Sequence, residues 1–287
     1  MSRIGVIGGS GLYEMKEFKV KDAVKVRTPF GEPSDEYTLC EYGGKEVVFL
    51  PRHGKGHRIS PSGINYRANI YGMKKLGVTK ILSVSACGSL KEAIKPLDFV
   101  IPHQFIDRTT QARKQTFFDE GVVAHVAFAE PVCMKLAETV YEVTHGIKCC
   151  TTHWGGIYVN MEGPQFSTKA ESLMYRTWEA DIIGMTNMTE ARLAREAEIC
   201  YATLAAVTDY DCWHEVEETV TVEMIIDNLR KNVENAKKII KQVIGQADPD
   251  AECTCQEALK YAIVTSSKTI PAETKKKLGL LIGKYIK

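Results

Sequence analysis

The sequence predicts a single α/β domain with a central mixed, mainly parallel β-sheet flanked by helices. Three observations predict it. Short β-branched runs recur and are often followed by Gly or Ser; amphipathic helical stretches lie between several of them; and no repeat, low-complexity segment or Pro/Ser-rich linker interrupts the alternation before Gly245.

The predicted strands are Arg3 to Gly8, Glu46 to Leu50, Lys80 to Ser85, Phe99 to Pro102, Ile157 to Asn160, Asp181 to Met185 and Cys200 to Thr208. Between them, helices are expected over Ile64 to Lys75, Pro131 to Thr144, Thr168 to Trp178, Thr189 to Glu198 and Val222 to Ile244. In the last, Val222, Ile226, Leu229, Val233, Ala236, Ile240 and Val243 fall three or four apart, so one face packs on a sheet. Gly-Gln-Ala-Asp-Pro-Asp at 245–250 breaks that helix. The domain is therefore expected to span residues 1–246, with residues 247–287 as a helical C-terminal extension packed on it. The Lys275 to Lys277 run reads as a solvated helix face.

With 287 residues, 44% hydrophobic, 25% charged and a formal net charge of +1, the chain has no charge excess that would draw it to nucleic acid or to an anionic membrane. A small neutral or compactly anionic ligand fits better. Neither a signal-like leader nor a membrane-length apolar window is visible, so a cytoplasmic protein is expected. The nine cysteines include no Cys-x-x-Cys pair, and they are expected to be mostly buried thiols with no metal. Cys149 with Cys150, and Cys253 with Cys255, are spaced closely enough that a redox-labile or stabilising bridge is the alternative.

In an open α/β sheet ligands gather beyond the carboxyl ends of the strands, so motifs there carry the chemistry. Gly8-Gly9-Ser10-Gly11 can present backbone N–H groups and a hydroxyl to phosphate oxygens, although a tight structural turn explains it as well. It lacks the Gly-Lys-Ser/Thr of a nucleotide P-loop and the spacing of a dinucleotide fingerprint. Pro51-Arg52-His53-Gly54-Lys55-Gly56-His57 adds a guanidinium fork and two imidazoles, and Ser85-Ala86-Cys87-Gly88-Ser89 adds small residues that let a ligand approach the backbone. Together these point to phosphate. For any one of them the alternative stands: Arg52 paired with a carboxylate, the serines capping helices.

Thr208-Asp209-Tyr210-Asp211 places two acids two apart at a strand end, pointing the same way if the backbone is extended. Carboxylates accept the protons of an exocyclic amine, and when protonated donate to a ring nitrogen. Solvated acids capping a following helix are the plain alternative. Phe166, in Glu162-Gly163-Pro164-Gln165-Phe166-Ser167, offers a face for stacking on a base.

Taken together, these segments, with Thr28-Pro29-Phe30-Gly31, Pro33-Ser34-Asp35, Gln104 to Thr109 and Ala206 to Trp213, resemble the trimeric branch of the purine nucleoside phosphorylase superfamily. The resemblance spans roughly residues 3–244, and within the branch it is closest in pattern to members acting on 5′-methylthioadenosine. It implies the nucleoside phosphorylase fold and phosphorolysis of S-methyl-5′-thioadenosine to adenine and 5-methylthioribose 1-phosphate, a pentosyl transfer of purine and methionine salvage. Phosphate is then a co-substrate, and no metal or organic cofactor is expected.

By the same resemblance phosphate is held by Ser10, Arg52, His53, Ser85, the backbone of Ala86, and Thr186. Ser10 and Ser85 stand where many members carry Thr. The purine stacks on Phe166 with Ser167, Asp209 and Asp211 at its polar edge, Met185 lies against the ribose, and Asp209 activates the leaving base at N7. The methylthio end meets His57, Val222, Ile225 and Ile226, with His125 reaching in from a neighbouring subunit of a trimer or dimer of trimers. Beyond Asp248 only the Cys-x-Cys, similar to thermophilic members, is carried over. The alternatives are a 6-oxopurine nucleoside or methylthioinosine phosphorylase, disfavoured by Asp209, and more distantly a dinucleotide oxidoreductase or a non-catalytic nucleoside sensor.

Overall fold

The chain folds around a mixed sheet of eleven strands, seen in a computed structural model. It describes all residues but Met1, Ser10, Tyr13, Glu14, Lys16, Gln111, Ala112, 215–221, Lys287 and the side chains of 222–225. In chain order the strands are β1 (Arg3–Gly8), β2 (Lys19–Val24), β3 (Tyr37–Tyr42), β4 (Lys45–Pro51), β5 (Val78–Ser89), β6 (Phe99–Ile101), β7 (Gln104–Arg108), β8 (Thr152–Trp154), β9 (Ile157–Met161), β10 (Ile182–Gly184) and β11 (Cys200–Asp209). The helices are α1 (Tyr66–Lys75), α2 (Met134–Ile147), α3 (Lys169–Thr177), α4 (Asn187–Glu196), α5 (Val222–Gln246) and α6 (Ala272–Ile282).

The strand order runs β2-β3-β4-β1-β5-β10-β9-β7, with β11, β6 and β8 branching from β5. Six of the ten pairings are parallel: β1 with β4 and with β5, β5 with β11, β6 with β8, β9 with β7 and with β10. The long β5 is the axis of this arrangement. It carries β1 along Val78–Ser83, β11 along Lys80–Gly88, and antiparallel β10 at Gly88 and Ser89. Gly88 is thus flanked on both edges, by Ile183 and by Asp209.

All seven strands read from the sequence are present, because each is an apolar run buried on both faces. The strands that were not anticipated lack that signal. β2 (Lys-Val-Lys-Asp-Ala-Val) is an exposed, charged edge, and β8 has three residues. Helix boundaries shift by a few residues for local reasons. α1 begins after Asn65, whose side chain accepts the Ala68 N–H, and α3 begins after Thr168, which forms a capping box with Glu171.

Two large apolar clusters cover the sheet. One packs α2 and α5 on β11 and β5 through Leu136, Val140, Ala236, Ile239, Ile240, Val243 and Leu204. Full burial of each of the larger aliphatic side chains contributes roughly 1.5–3 kcal/mol. The other packs α1 and α4 with Leu259, Ile270, Leu278 and Leu281 from the C-terminal extension. That extension is less helical than the sequence reading had it: only α6 is α-helix, and Asp248–Ile270 is irregular apart from a short 3-10 turn. Its Lys277 reaches Glu120 at 2.7 Å, so the basic run is not purely solvated. No helix among the described residues is long and apolar enough to cross a membrane.

Candidate active site

A cavity of about 340 Å3 opens where β1, β4, β5, β10 and β11 end, beside α5. That volume falls in the range of small-molecule sites, ~300–1,000 Å3. Gly9, Arg52, His53, Ser85, Ala86 and Thr186 line one part of it. The Ser85 hydroxyl is buried without a hydrogen-bond partner among the described residues, a donor left for a ligand. Thr186 precedes α4 and lines the cavity, which brings the positive end of that helix to it; its hydroxyl caps no helical N–H and lies 3.4 Å from Asn187 Oδ1. Ser10 lies outside the described residues.

Arg52 departs from the free guanidinium fork that the sequence suggested. Its Nε and Nη2 edge pairs with the Glu190 carboxylate at 2.5 and 3.1 Å, and Nη1 donates to the Val84 carbonyl at 2.9 Å. Glu190 also accepts from Ser83 and from the Tyr201 hydroxyl, and Asn187 ties Ser83, Tyr201 and Thr203 together. The carboxylate-paired alternative for Arg52 therefore holds, and the residue nevertheless lines the cavity. Burial, with the Arg52 charge beside it, pushes the His53 imidazole down to about 4. Its Nδ1 lies 2.8 Å from the Ile59 carbonyl, which only accepts, so Nδ1 carries the proton and Nε2 is an acceptor. His57 stacks on His53 with ring centroids 4.2 Å apart and also lines the cavity.

Asp209 and Asp211 also line the cavity, but not by strand alternation. β11 bulges against β5 between Val207 and Asp209, and Asp211 opens a 3-10 turn with φ +54°. The turn folds Asp211 back so that its N–H donates to Asp209 Oδ1 at 2.8 Å, while the Thr208 hydroxyl donates to Asp209 Oδ2 at 2.6 Å. Asp211 is 7% exposed and its Oδ2 has no hydrogen-bond partner among the described residues. Burial, and then the Asp209 charge, raise its carboxyl above the ordinary range. α5 holds this strand end from behind, Asn228 and Asn232 donating to the Thr208 and Val207 carbonyls at 2.8 Å each.

Phe166, 63% exposed, Met185, Met161, Pro164 and Ile183 make up an apolar part of the lining. Ser167 is not part of the lining; its hydroxyl lies 3.7 Å from Met161 Sδ. Sequence reasoning missed Arg113, which sits with Glu162 beside this part. Arg113 donates to the Met185 and Glu162 carbonyls and to the Glu162 carboxylate, fixing two loops against each other. Burial would raise the Glu162 carboxyl, but hydrogen bonds from Ser62, Thr110 and Arg113 bring it down to about 2. Nothing in the spacing of Arg113 and Glu162 announces that pairing.

Among the described side chains of α5 the lining is Leu229, Asn232, Val233 and Ala236. Ile226 is 42% exposed and outside the lining, and the side chains of Val222 and Ile225 lie outside the described residues. His125 is exposed and is not part of its own chain's cavity lining; its N–H donates to the Ala262 carbonyl.

Residues 3–245 fit the model of the phosphorylase superfamily. The chain belongs to that superfamily. It is 55% identical over 99% of both chains to an S-methyl-5′-thioadenosine phosphorylase of Geobacter sulfurreducens, and 55% identical to one of Koribacter versatilis, covering 99% of this chain and 97% of that one. A methylthioadenosine phosphorylase from an Antarctic soil metagenomic library has a similar structure, with a TM-score of 0.93 and 51% identity over 98% of each chain. A mutant adenosine/methylthioadenosine phosphorylase of Schistosoma mansoni, solved with methylthioadenosine, aligns with a TM-score of 0.83 and 36% identity over 91% of this chain and 96% of that one. The superfamily's sheet, mixed and mainly parallel, is the fold described above.

Proposed function

We propose that this phosphorylase cleaves S-methyl-5′-thioadenosine with inorganic phosphate, giving adenine and 5-methylthioribose 1-phosphate. The observation that carries the reading is what lines one cavity: the anion-binding groups Arg52, His53, Ser85, Ala86 and Thr186, the Asp209–Asp211 pair, and apolar residues including Phe166, Met185 and Ile183. Phosphate sits between the Ser85 hydroxyl, the Ala86 backbone, Thr186 and His53, with Arg52 contributing charge from behind while Glu190 holds its orientation. A neutral His53 accepting at Nε2 suits a protonated phosphate oxygen. Bound below the sugar, phosphate stabilises the oxocarbenium character of the transition state and then attacks the anomeric carbon.

Asp209, fixed by Thr208 and the Asp211 N–H, supports N7 of the departing purine, and the acid pair retains a proton more readily than isolated carboxyls do. A carboxylate at this edge accepts from a 6-amino group and repels a 6-oxo group. Phe166 stacks on the base, with Ser167 beside it, and Met185 meets the ribose. Leu229 and Val233, with His57, supply the wall for the methylthio group. His125, exposed and outside its own chain's cavity lining, would serve a neighbouring subunit of a homo-oligomer. This chemistry requires no cofactor beyond the co-substrate phosphate.

The test is product release from 5′-methylthioadenosine, methylthioinosine, adenosine and inosine, each with and without phosphate. Phosphate-dependent adenine release, fastest from 5′-methylthioadenosine, is expected. Preference for a 6-oxo nucleoside would overturn the role given to Asp209, and phosphate-independent cleavage would make the enzyme a hydrolase.

A further inference from the structure

Four cysteine thiols that the proposed chemistry does not use converge at the amino end of β11. Cys200 opens β11, Cys133 immediately precedes α2, and Cys253 and Cys255 stand in the C-terminal extension around a 3-10 turn. Their Sγ atoms all lie within 4.8 Å of one another, with Cys133 and Cys253 3.6 Å apart. Three of them are buried and Cys253 is half-buried. Zinc–thiolate bonds of ~2.3 Å in tetrahedral geometry place sulfurs roughly 3.8 Å apart, so the cluster is already close to the size of such a site. Chains that need only packing have no reason to bring four thiols from three separate segments to one point.

The surroundings favour a cation bound by thiolates. Cys133 sits at the amino end of the fourteen-residue α2 with no side-chain cap, where the helix dipole favours its thiolate. A second cavity, about 370 Å3, is lined by Cys133, Cys253 and Cys255 and gives access from outside. Lys135 and Arg195 also line it, opposed by Glu130, and offset the negative charge of a tetrathiolate.

We propose that Cys133, Cys200, Cys253 and Cys255 form a zinc(II) tetrathiolate site that fastens the C-terminal extension to β11 and α2. On binding, four S–H protons leave to solvent as four Zn–S bonds form, and no electrons are exchanged. With all four positions taken by protein sulfur, the ion has no open place for substrate and acts structurally. It also lies at the end of β11 opposite Asp209, roughly 30 Å along the strand. The cysteine spacing did not announce the site, because the ligands are a Cys-x-Cys and two residues that only the fold brings to it.

The test uses the full chain purified under reductant without chelator. Metal analysis is expected to give about one zinc per chain, and cobalt(II) exchange to give the visible bands and sulfur-to-metal charge transfer of a tetrahedral thiolate site. In Cys253→Ser/Cys255→Ser both signals are lost, the thermal midpoint falls to that of chelator-treated wild type, and phosphorolysis below that midpoint is unchanged. Reduced wild-type protein that takes up neither zinc nor cobalt(II) overturns the proposal without recourse to any variant. So does mass spectrometry showing these four cysteines joined as two disulfides, with no metal uptake after reduction.

Discussion

Glu190 grips Arg52 along one edge of the guanidinium, and both side chains are 2% exposed. The pair anchors the polar wall of the cavity, so its first role is to hold an obligatory charge in place. Removing one partner leaves the other buried and uncompensated. Glu190→Ala is expected to lower unfolding stability by about 3–5 kcal/mol, read as a lower urea midpoint at unchanged slope. A loss below about 1 kcal/mol, the value of an exposed pair, would show that the interaction is not a buried anchor.

Ser85 offers an unpartnered buried hydroxyl. Its loss therefore breaks no hydrogen bond of normal geometry among the described residues, and Ser85→Ala should change thermal stability little. A hydrogen bond to a charged ligand is worth ~1.5–3 kcal/mol, so KM for phosphate should rise about 10- to 100-fold. An unchanged phosphate KM in steady-state assays would remove Ser85 from the site.

Asp209→Asn removes the negative charge and leaves one acceptor oxygen for the two donors, the Thr208 hydroxyl and the Asp211 N–H. Turnover of 5′-methylthioadenosine should fall roughly 10²–10⁴-fold, while the ratio of methylthioinosine to methylthioadenosine turnover rises. Wild-type rates in this variant would mean that the purine edge is read elsewhere.

Gly88 approaches the same acid so closely that a Cβ there would meet Asp209 Oδ1 at 2.9 Å. Gly88→Ala should displace the carboxylate and depress kcat without unfolding the sheet. Circular dichroism and kinetics on one preparation separate those effects, and an unimpaired kcat would show that Asp209 tolerates movement.

Glu196 is buried, accepting the Phe117 N–H and the Thr116 hydroxyl at 2.7 Å each, and burial pushes its carboxyl up to about 7. An acid with a raised folded pKa contributes stability that is fully present below its unfolded value, near 4.5, and is lost as pH rises through about 7. The separation corresponds to roughly 3 kcal/mol. Glu196→Gln, whose amide can satisfy both partners, should therefore gain on wild type by an amount of that order between pH 4.5 and pH 8. Parallel stability curves in urea would refute the linkage.

The strands of the inner sheet were legible because burial on both faces leaves an uninterrupted apolar run, as in Cys200 to Thr208. The edge strand β2 was not, since an edge is kept charged. Likewise the cavity's strand-end residues could be read as a set, while Glu190, Arg113 and Glu162 could not: their partners lie 138 and 49 residues away, and only packing decides which carboxylate meets which guanidinium. The acids show a third case. Both reach the cavity, but through a bulge and a positive-φ turn that no alternation rule anticipates.

The cavity draws its strand-end polar residues from Arg52 to Asp211, on or just beyond β4, β5, β10 and β11, of which β10 and β11 pair with β5 and β4 joins it through β1. No contiguous fragment of the chain shorter than that span carries them all. Recovery of catalysis after dilution from denaturant would thus count only molecules whose whole sheet has been assembled, and a truncated or mispaired species would be silent in that assay however much secondary structure it had regained.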